Sequence, residues 1–320
     1  MAIVFGEVLA EDGTDASKLG GAPFNLARHL AAFMAPPLLI TRIGDDRNGA
    51  AVRAEFERFV MPETGLQVDT MEETGRVAVE RTAARMGSSP RSVLLPRQAY
   101  DFIDPETAAA AVSAAVAGTA PDIVYFGTLA QRGERSRQAL AAVLAAAPQA
   151  KRFLDLNLFP GQADQAIVGA ALEAADIVKV NEEELQALFN WYFQIAPDDT
   201  PMSTEEVHAA CRALIDRFSL DALIVTLGHR GSVYFGSDGS LVANRDNPVP
   251  PYVIDTVGAG DAFSAIFLLG RARGWPLELT LARANEFAGA ICAVTGAVPQ
   301  DMGFYDKWAR RWLAGGVSAA

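Results

Sequence analysis

Short β-branched runs alternate along this chain with alanine- and leucine-rich runs of helical period, and that rhythm restricts the fold to a parallel sheet joined by crossover helices. Strands are predicted over residues 3–5, 38–42, 123–126, 152–156, 177–180 and 222–226, and helices over 24–34, 50–59, 106–116, 135–146, 205–218, 262–273 and 279–294. One stretch departs from the rhythm. From Gln67 the pattern turns to short alternating strands punctuated by Thr74-Gly75 and Gly87-Ser-Ser-Pro90, which reads as a small antiparallel β lid or, failing that, a surface hairpin. The lid is expected over about residues 67–97, with residues 8–20 as a further contribution. Residues 191–201 are polar and proline-flanked and read as a loop between helices.

A chain of 320 residues is long enough for one large α/β domain spanning residues 1–320. Its formal net charge of -12 repels a polyanion, and no Lys/Arg cluster with interleaved aromatics appears, which excludes nucleic acid as a partner. No uncharged apolar run approaches the roughly 20 residues of a membrane span, so no membrane partner is expected. The opening Met1-Ala-Ile-Val-Phe-Gly6 is too short for a signal segment and reads as a first strand. Cys211 and Cys292 both fall in helical patterns, which suits buried free thiols and a reducing, cytoplasmic compartment. His29, His208 and His229 form no cluster and read as surface or helix histidines rather than metal ligands.

The chemistry concentrates in Asp255-Thr-Val-Gly-Ala-Gly-Asp-Ala-Phe263, where a glycine-rich turn opens an apolar helix. Gly258 and Gly260 allow backbone N–H groups to converge on an anion, and the helix dipole adds partial positive charge there. Asp261 falls in the first turn, within reach of a hydroxyl held against that anion. From the residues alone, an acidic first turn that merely caps a helix explains the run equally well. It is not a Walker loop, because no Lys-Ser/Thr follows the second glycine.

Asp-Thr-Val-Gly-Ala-Gly-Asp-Ala-Phe resembles the C-terminal signature of the PfkB or ribokinase-like family of carbohydrate and nucleoside kinases. The resemblance implies a three-layer α/β/α sandwich with a mainly parallel central sheet and a small β lid. It also implies that Gly258, Ala259 and Gly260 form an anion hole for the transferred phosphoryl group, with Asp261 as the base. A second stretch, Leu19-Gly-Gly-Ala-Pro-Phe-Asn-Leu-Ala27, is similar to the first signature of the same family, closest to its fructokinase-like branch. There the glycines, here Gly20 and Gly21, let sugar approach the backbone, and the asparagine, here Asn25, bonds its hydroxyls. Read without the resemblance, the run is a turn and a helix cap.

Weaker motifs follow in the family's order. The branch's first-strand form Gly-Glu-x-Leu-x-Asp carries a sugar-binding Asp; Glu11 stands at that position and Asp12 one residue later. Gly44 and Asp45 end a strand at the edge where open α/β sheets bind ligands. Asp155 and Asn157 fit a substrate-binding Asp-x-Asn-x-Arg form, but its arginine is Phe159 here, leaving Arg42 or Arg97 as substitute cations. Asn181 and Glu184 match Asn-x-x-Glu, which in the family orders water around Mg²⁺ and nucleotide phosphates; three acids in a first turn would also suit the helix without any ligand. Thr226, Gly228 and Asn285 match nucleotide-binding positions, and backbone carbonyls near Asp255 bind K⁺ in some relatives.

The resemblance therefore implies an ATP-dependent sugar kinase using Mg²⁺, with K⁺ as a further cation, fructose as first acceptor, and a homodimer formed through the lid. Glu11 and Phe159 motivate a second reading, a kinase for a keto-deoxy sugar acid, a modified ketose or a nucleoside. A third, a non-catalytic sugar or nucleotide sensor, is opposed by intact Asp261 and both glycines.

Overall fold

Side chains alternate along the central strands, and both faces of those strands are buried, so the chain has two cores. The structure is a computed structural model that describes residues 1–11, 18–80, 91–159, 161–194, 203–245 and 252–313. In β1 (Ala2–Phe5), Ile3 and Phe5 join one core and Val4 the other, all three fully buried. Burial on two faces is what a parallel sheet covered by helices on each side requires.

The N-terminal half continues with β2 (Leu9–Glu11), β3 (Lys18–Gly20), α1 (Ala22–Ala32), β4 (Leu38–Gly44), α2 (Arg47–Arg58), β5 (Leu66–Asp69), β6 (Arg76–Glu80), β7 (Arg91–Leu94), α3 (Pro105–Val116), β8 (Ile123–Phe126) and α4 (Glu134–Ala146). Then come β9 (Lys151–Asp155), α5 (Gln165–Glu173), β10 (Ile177–Asn181), α6 (Glu182–Phe193), α7 (Thr204–Phe218), β11 (Ala222–Thr226), β12 (Ser232–Gly236), β13 (Leu241–Asn244), α8 (Ala259–Ala272), α9 (Leu277–Ile291) and α10 (Gly303–Leu313).

Among the described residues the main sheet has nine strands in the order β13-β12-β11-β10-β9-β8-β1-β4-β5. Seven of them run parallel from β5 to β11, and the β12–β13 hairpin closes one edge antiparallel. Helices α3 to α7 cover one face and α1, α2, α8, α9 and α10 the other, as their buried residues divide between the two cores. This is the expected three-layer α/β/α sandwich. The C-terminal ends of the parallel strands all face one edge, where ligands of open α/β sheets bind.

Several expectations change. Gln67 to Asp69 belongs to β5, paired in parallel with β4 in the main sheet, so the separate sheet draws on β6 onward. That second sheet has the order β3-β2-β6-β7, and it is mixed rather than antiparallel: β2 pairs antiparallel with β3 but parallel with β6. Within residues 8–20, β2 and β3 pair in that sheet. Asp12 lies outside the described residues, as do residues 81–90. Trp191 to Phe193 continues α6 instead of starting a loop, and residues 195–202 lie outside the described residues.

His29 is a helix histidine of α1, buried rather than on the surface. Its ring bonds Tyr305 Oη at 2.9 Å and the Ala297 carbonyl at 3.1 Å, and burial lowers its pKa to about 3, so it is neutral. Cys211 and Cys292 are free thiols, the first buried and the second only partly so. No described helix is long and apolar enough to cross a membrane.

Candidate active site

Loops at the C-terminal ends of β1, β9, β10 and β11, together with the N-terminus of α8 and the inner face of the second sheet, enclose a cleft of about 1510 Å³. The candidate residues named from the sequence line it, apart from Asp12, which lies outside the described residues, and four others. Gly44, Asp45, Arg42 and Arg97 do not. Arg42 Nε donates to Asp69 at 2.8 Å and Arg97 Nη2 pairs with Glu72 at 2.6 Å, so neither replaces a cation at Phe159.

Helix α8 opens at Gly258, whose φ of 81° lies in the left-handed region. A Cβ there would stand 2.4 Å from Ala297 Cβ, so close packing and backbone conformation both demand glycine. The first N–H groups of α8 have no intrahelical acceptor; that of Ala259 bonds the Thr256 carbonyl at 3.3 Å, and Gly258, Ala259 and Gly260 all line the cleft. A Cβ built on Gly260 would lie 3.4 Å from Lys179 Nζ, which puts a buried cation just behind that turn.

Lys179 is anchored by Asp155 at 2.7 Å, and Asp155 Oδ2 accepts from Ser264 Oγ at 2.7 Å and Tyr125 Oη at 3.2 Å. Both carboxylate oxygens of Asp155 are thus occupied by protein. Burial alone would lower Lys179, but the nearby carboxylates of Asp155 and Glu184 outweigh it and hold the ammonium above its ordinary value. The pair ties β9, β10 and α8 together under the turn. Asn157, by contrast, is exposed to the cleft with a φ of 40°, a left-handed conformation that asparagine tolerates better than most residues.

Asp261 meets Asn25 from the other end of the chain: Asn25 Nδ2 donates to Asp261 Oδ2 at 2.7 Å across 236 residues of sequence. Burial raises the Asp261 carboxyl to about 6; the Asn25 hydrogen bond opposes this, Asp155 adds to it, and Lys179 and Arg28 oppose it. Gly21, just before α1, has a φ of 97°, and a Cβ there would meet the Glu7 carbonyl at 2.7 Å. Glycine at position 21 therefore permits a close backbone contact with the Glu7 carbonyl.

Asn181 and Glu184 form a reciprocal capping box at the start of α6. Asn181 Oδ1 accepts from the Glu184 N–H at 2.8 Å, while Glu184 Oε2 accepts from the Asn181 N–H at 2.9 Å. Glu184 Oε1 also accepts from the Leu158 N–H at 2.8 Å. Burial raises the Glu184 carboxyl, opposed by Lys179 and these N–H groups. Thr226 turns its hydroxyl to the Val180 carbonyl at 3.3 Å. Asn285 Nδ2 donates to Ser232 Oγ and Asn244 Oδ1, both at 2.9 Å, linking α9 to the β12–β13 hairpin. Asp255 accepts from the Val257 and Gly296 N–H groups at 3.0 and 3.2 Å. No group of three or more His, Cys, Asp or Glu among the described residues is arranged to hold a metal ion.

Sequence reasoning missed Glu7, Arg28 and Lys179, all buried on the cleft wall. Glu7 is raised to about 7, mainly by burial, and its Oε2 has no hydrogen-bond partner. Two of the three carried a local signal: Arg28 is three residues after Asn25 and so shares its helix face, and Lys179 is two before Asn181 on one strand.

The fold and this cleft agree with what comparison with known proteins shows. The model of the pfkB family carbohydrate kinases matches residues 2–301. Fructokinase-1 of Oryza sativa subsp. japonica is 26% identical over 314 residues, covering 92% of this chain and 89% of the rice protein. A double-mutant fructokinase from Vibrio cholerae, solved with fructose, ADP and potassium ion, superposes with a TM-score of 0.71 at 24% identity, covering 95% of this chain and 97% of that one. A structure from E. coli assigned provisionally as ribokinase II, solved with ATP and Mg²⁺, gives a TM-score of 0.76 at 17% identity, covering 97% of this chain and 99% of that one. A family model matching nearly the whole chain, on a three-layer sandwich with the glycine turn and Asp261 in its cleft, leaves one assignment: this chain belongs to the pfkB family of carbohydrate kinases.

Proposed function

We propose that the protein transfers the γ-phosphoryl group of ATP to a sugar hydroxyl, with fructose as the first acceptor and Asp261 as the base. The observation that carries this reading is Asp261 itself, on the cleft wall in the first turn of α8, with its carboxylate bonded by Asn25 beside the glycine turn that opens the helix. The acceptor hydroxyl gives its proton to Asp261 as its oxygen attacks the γ-phosphorus and ADP leaves. Such transfers have a loose transition state, so positioning and charge stabilisation do most of the catalysis. The N–H groups of Gly258, Ala259 and Gly260 fit the equatorial phosphoryl oxygens, with the Lys179 ammonium behind them.

Glu184 has both oxygens engaged by backbone N–H groups, so it suits a Mg²⁺ ion only through water, with ATP phosphates as the direct ligands. Bound there, Mg²⁺ would neutralise phosphate charge. Since the Asp255 carboxylate is occupied by two N–H groups, a K⁺ ion would take backbone carbonyls around it. Asn181, Thr226, Gly228 and Asn285 border the nucleotide end; Glu11, Gly20, Gly21, Asn25 and Asn157 border the sugar end. The second sheet, which supplies Leu9, Glu11, Leu19 and Val77 to the cleft, acts as a lid that keeps water from the phosphoryl group. A homodimer formed through that sheet belongs to the same reading.

ADP release measured over a panel of fructose, other ketoses, a keto-deoxy sugar acid and nucleosides tests the assignment. Fast turnover of fructose alone supports it. The second reading, a different acceptor, is favoured by Glu11 and by Phe159, which lines the cleft where related kinases carry arginine; fructose inert beside one fast competitor would establish it. Calorimetric binding of ATP and sugar with no phosphorylated product would instead mark a sensor.

A further inference from the structure

Arg28 lies one helical turn after Asn25 on α1, and its guanidinium is almost wholly enclosed, with 3% of the side chain exposed. Nη1 donates to Glu55 Oε2 of α2 at 2.9 Å. Nη2 donates both to the Leu19 carbonyl of β3 at 2.8 Å and to Asn25 Oδ1 at 2.7 Å. A carboxamide carries an acceptor at one end and a donor at the other, and a half-turn of the group exchanges them. Arginine has donors only, so the end of Asn25 facing it must be the oxygen. The nitrogen is then directed to Asp261 Oδ2, at 2.7 Å. If Arg28 were absent, the amide could turn its oxygen toward the carboxylate, where two acceptors would oppose each other.

We infer that Arg28 is a positioning residue, which locks the amide orientation of Asn25 and through Asn25 keeps Asp261 ionised for proton abstraction; this rests on the reading of Asp261 as base. The charged and titratable groups around Asp261 come from every neighbouring element. Arg28 stands on α1, Glu7 follows β1, Tyr125 is on β8, Asp155 on β9 and Lys179 on β10. Glu7 and Asp155 disfavour the ionised form, whereas Lys179, Arg28 and the Asn25 amide favour it, and buried Tyr125 is held neutral. Arg28 acts twice in one direction, by its charge and through the amide. Lysine cannot substitute: only a planar fork reaches Glu55, Leu19 and Asn25 together.

The test uses Arg28→Lys, which keeps a cation beside Glu55 but loses the fork. A paired Arg28→Met, Glu55→Met variant serves if the first fails to fold, because it removes both members of the enclosed pair and leaves the part-exposed Arg58 with the Gln300 carbonyl. Two quantities are measured: the pH profile of kcat/KM for the acceptor, and the carbon-13 NMR titration of the Asp261 carboxyl, assigned by its disappearance in Asp261→Asn. The expected result is an upward move of both midpoints by about one pH unit, so that kcat/KM falls about fivefold at pH 6 and less than about twofold at pH 8. Adding Arg28→Lys to an Asn25→Ala protein should then move the NMR midpoint no further. A uniform loss at every pH, an unmoved NMR midpoint, or an equal displacement in the Asn25→Ala background would overturn the inference. A moved NMR midpoint in a protein that phosphorylates no acceptor would leave the positioning role standing and remove the kinase reading instead.

Discussion

Asp261 sits at a balance of opposing effects. Burial raises its carboxyl to about 6, while Asn25, Lys179 and Arg28 restrain the rise. In its proposed role as base it must be ionised, so kcat/KM is expected to climb with pH through about 6, and a pH–rate profile checks the inflection. Replacing it by asparagine keeps the shape and removes the carboxylate. Asp261→Asn should lower kcat by about 10² to 10⁴ with ATP affinity, read by calorimetry, little changed. Stability moves the other way. A carboxyl raised above its unfolded value of 3.8 holds its proton more tightly in the folded state, so its contribution is favourable at low pH and is lost as pH rises through about 6. Asp261→Asn should therefore melt higher than the parent at pH 7 to 8. Asp261 and Asn25 were both legible in the sequence, each from its own motif, but their hydrogen bond was not, since 236 residues separate them.

At the scale of elements, α6 shows a structural and a functional reading resting on the same atoms. Asn181 and Glu184 close a capping box, and Glu184 reaches further to hold the Leu158 N–H after β9. Glu184→Ala removes acceptors from two N–H groups, one of them binding the end of β9 to α6. It should cost about 1–3 kcal/mol in denaturant unfolding. A fall in turnover with no loss of stability would instead assign Glu184 wholly to the Mg²⁺–ATP end.

Capped, strongly periodic helices such as α2, α3 and α7 were readable because a local hydrogen bond and a local apolar stripe coincide: Asp46, Asp104 and Ser203 each accept from the first turn. Helix α5 was not, since Ala-Ile-Val-Gly-Ala-Ala-Leu reads equally well as a buried strand. Helix α10 was also missed. Its Tyr305, Trp308 and Trp312 do lie on one face, but aromatic residues are weak helix formers, and their burial depends on Phe33, just after α1, and Phe287 of α9.

The whole molecule divides into a rigid two-core sandwich and a small second sheet that completes the cleft. Val77 of β6 lines the cleft and packs against one core. If that sheet closes over sugar, a charge introduced at Val77 should disturb sugar more than nucleotide. Val77→Asp is expected to raise the KM of the acceptor about tenfold while leaving that of ATP within about twofold, measured by steady-state kinetics; equal effects on both would show that the sheet does not act selectively at the sugar end.

The boundary of that sheet was misjudged at Gln67 for a physical reason. Leu66–Asp69 is a short alternating run whether it pairs with β4 or with a separate hairpin, and only the parallel register with Thr41 to Gly44 distinguishes them. The alternation of strands with most of the capped helices, the family and the place of Asp261 in a helix's first turn were determined by the sequence alone, because periodicity, helix-start chemistry and contiguous motifs act over a few residues. Which side chains face one another was decided only by the tertiary structure. Arg28 behind Asn25, Lys179 behind Gly260 and Asp155 turned inward to an ion pair all depend on distances between elements remote in the chain, and no local pattern encodes such distances.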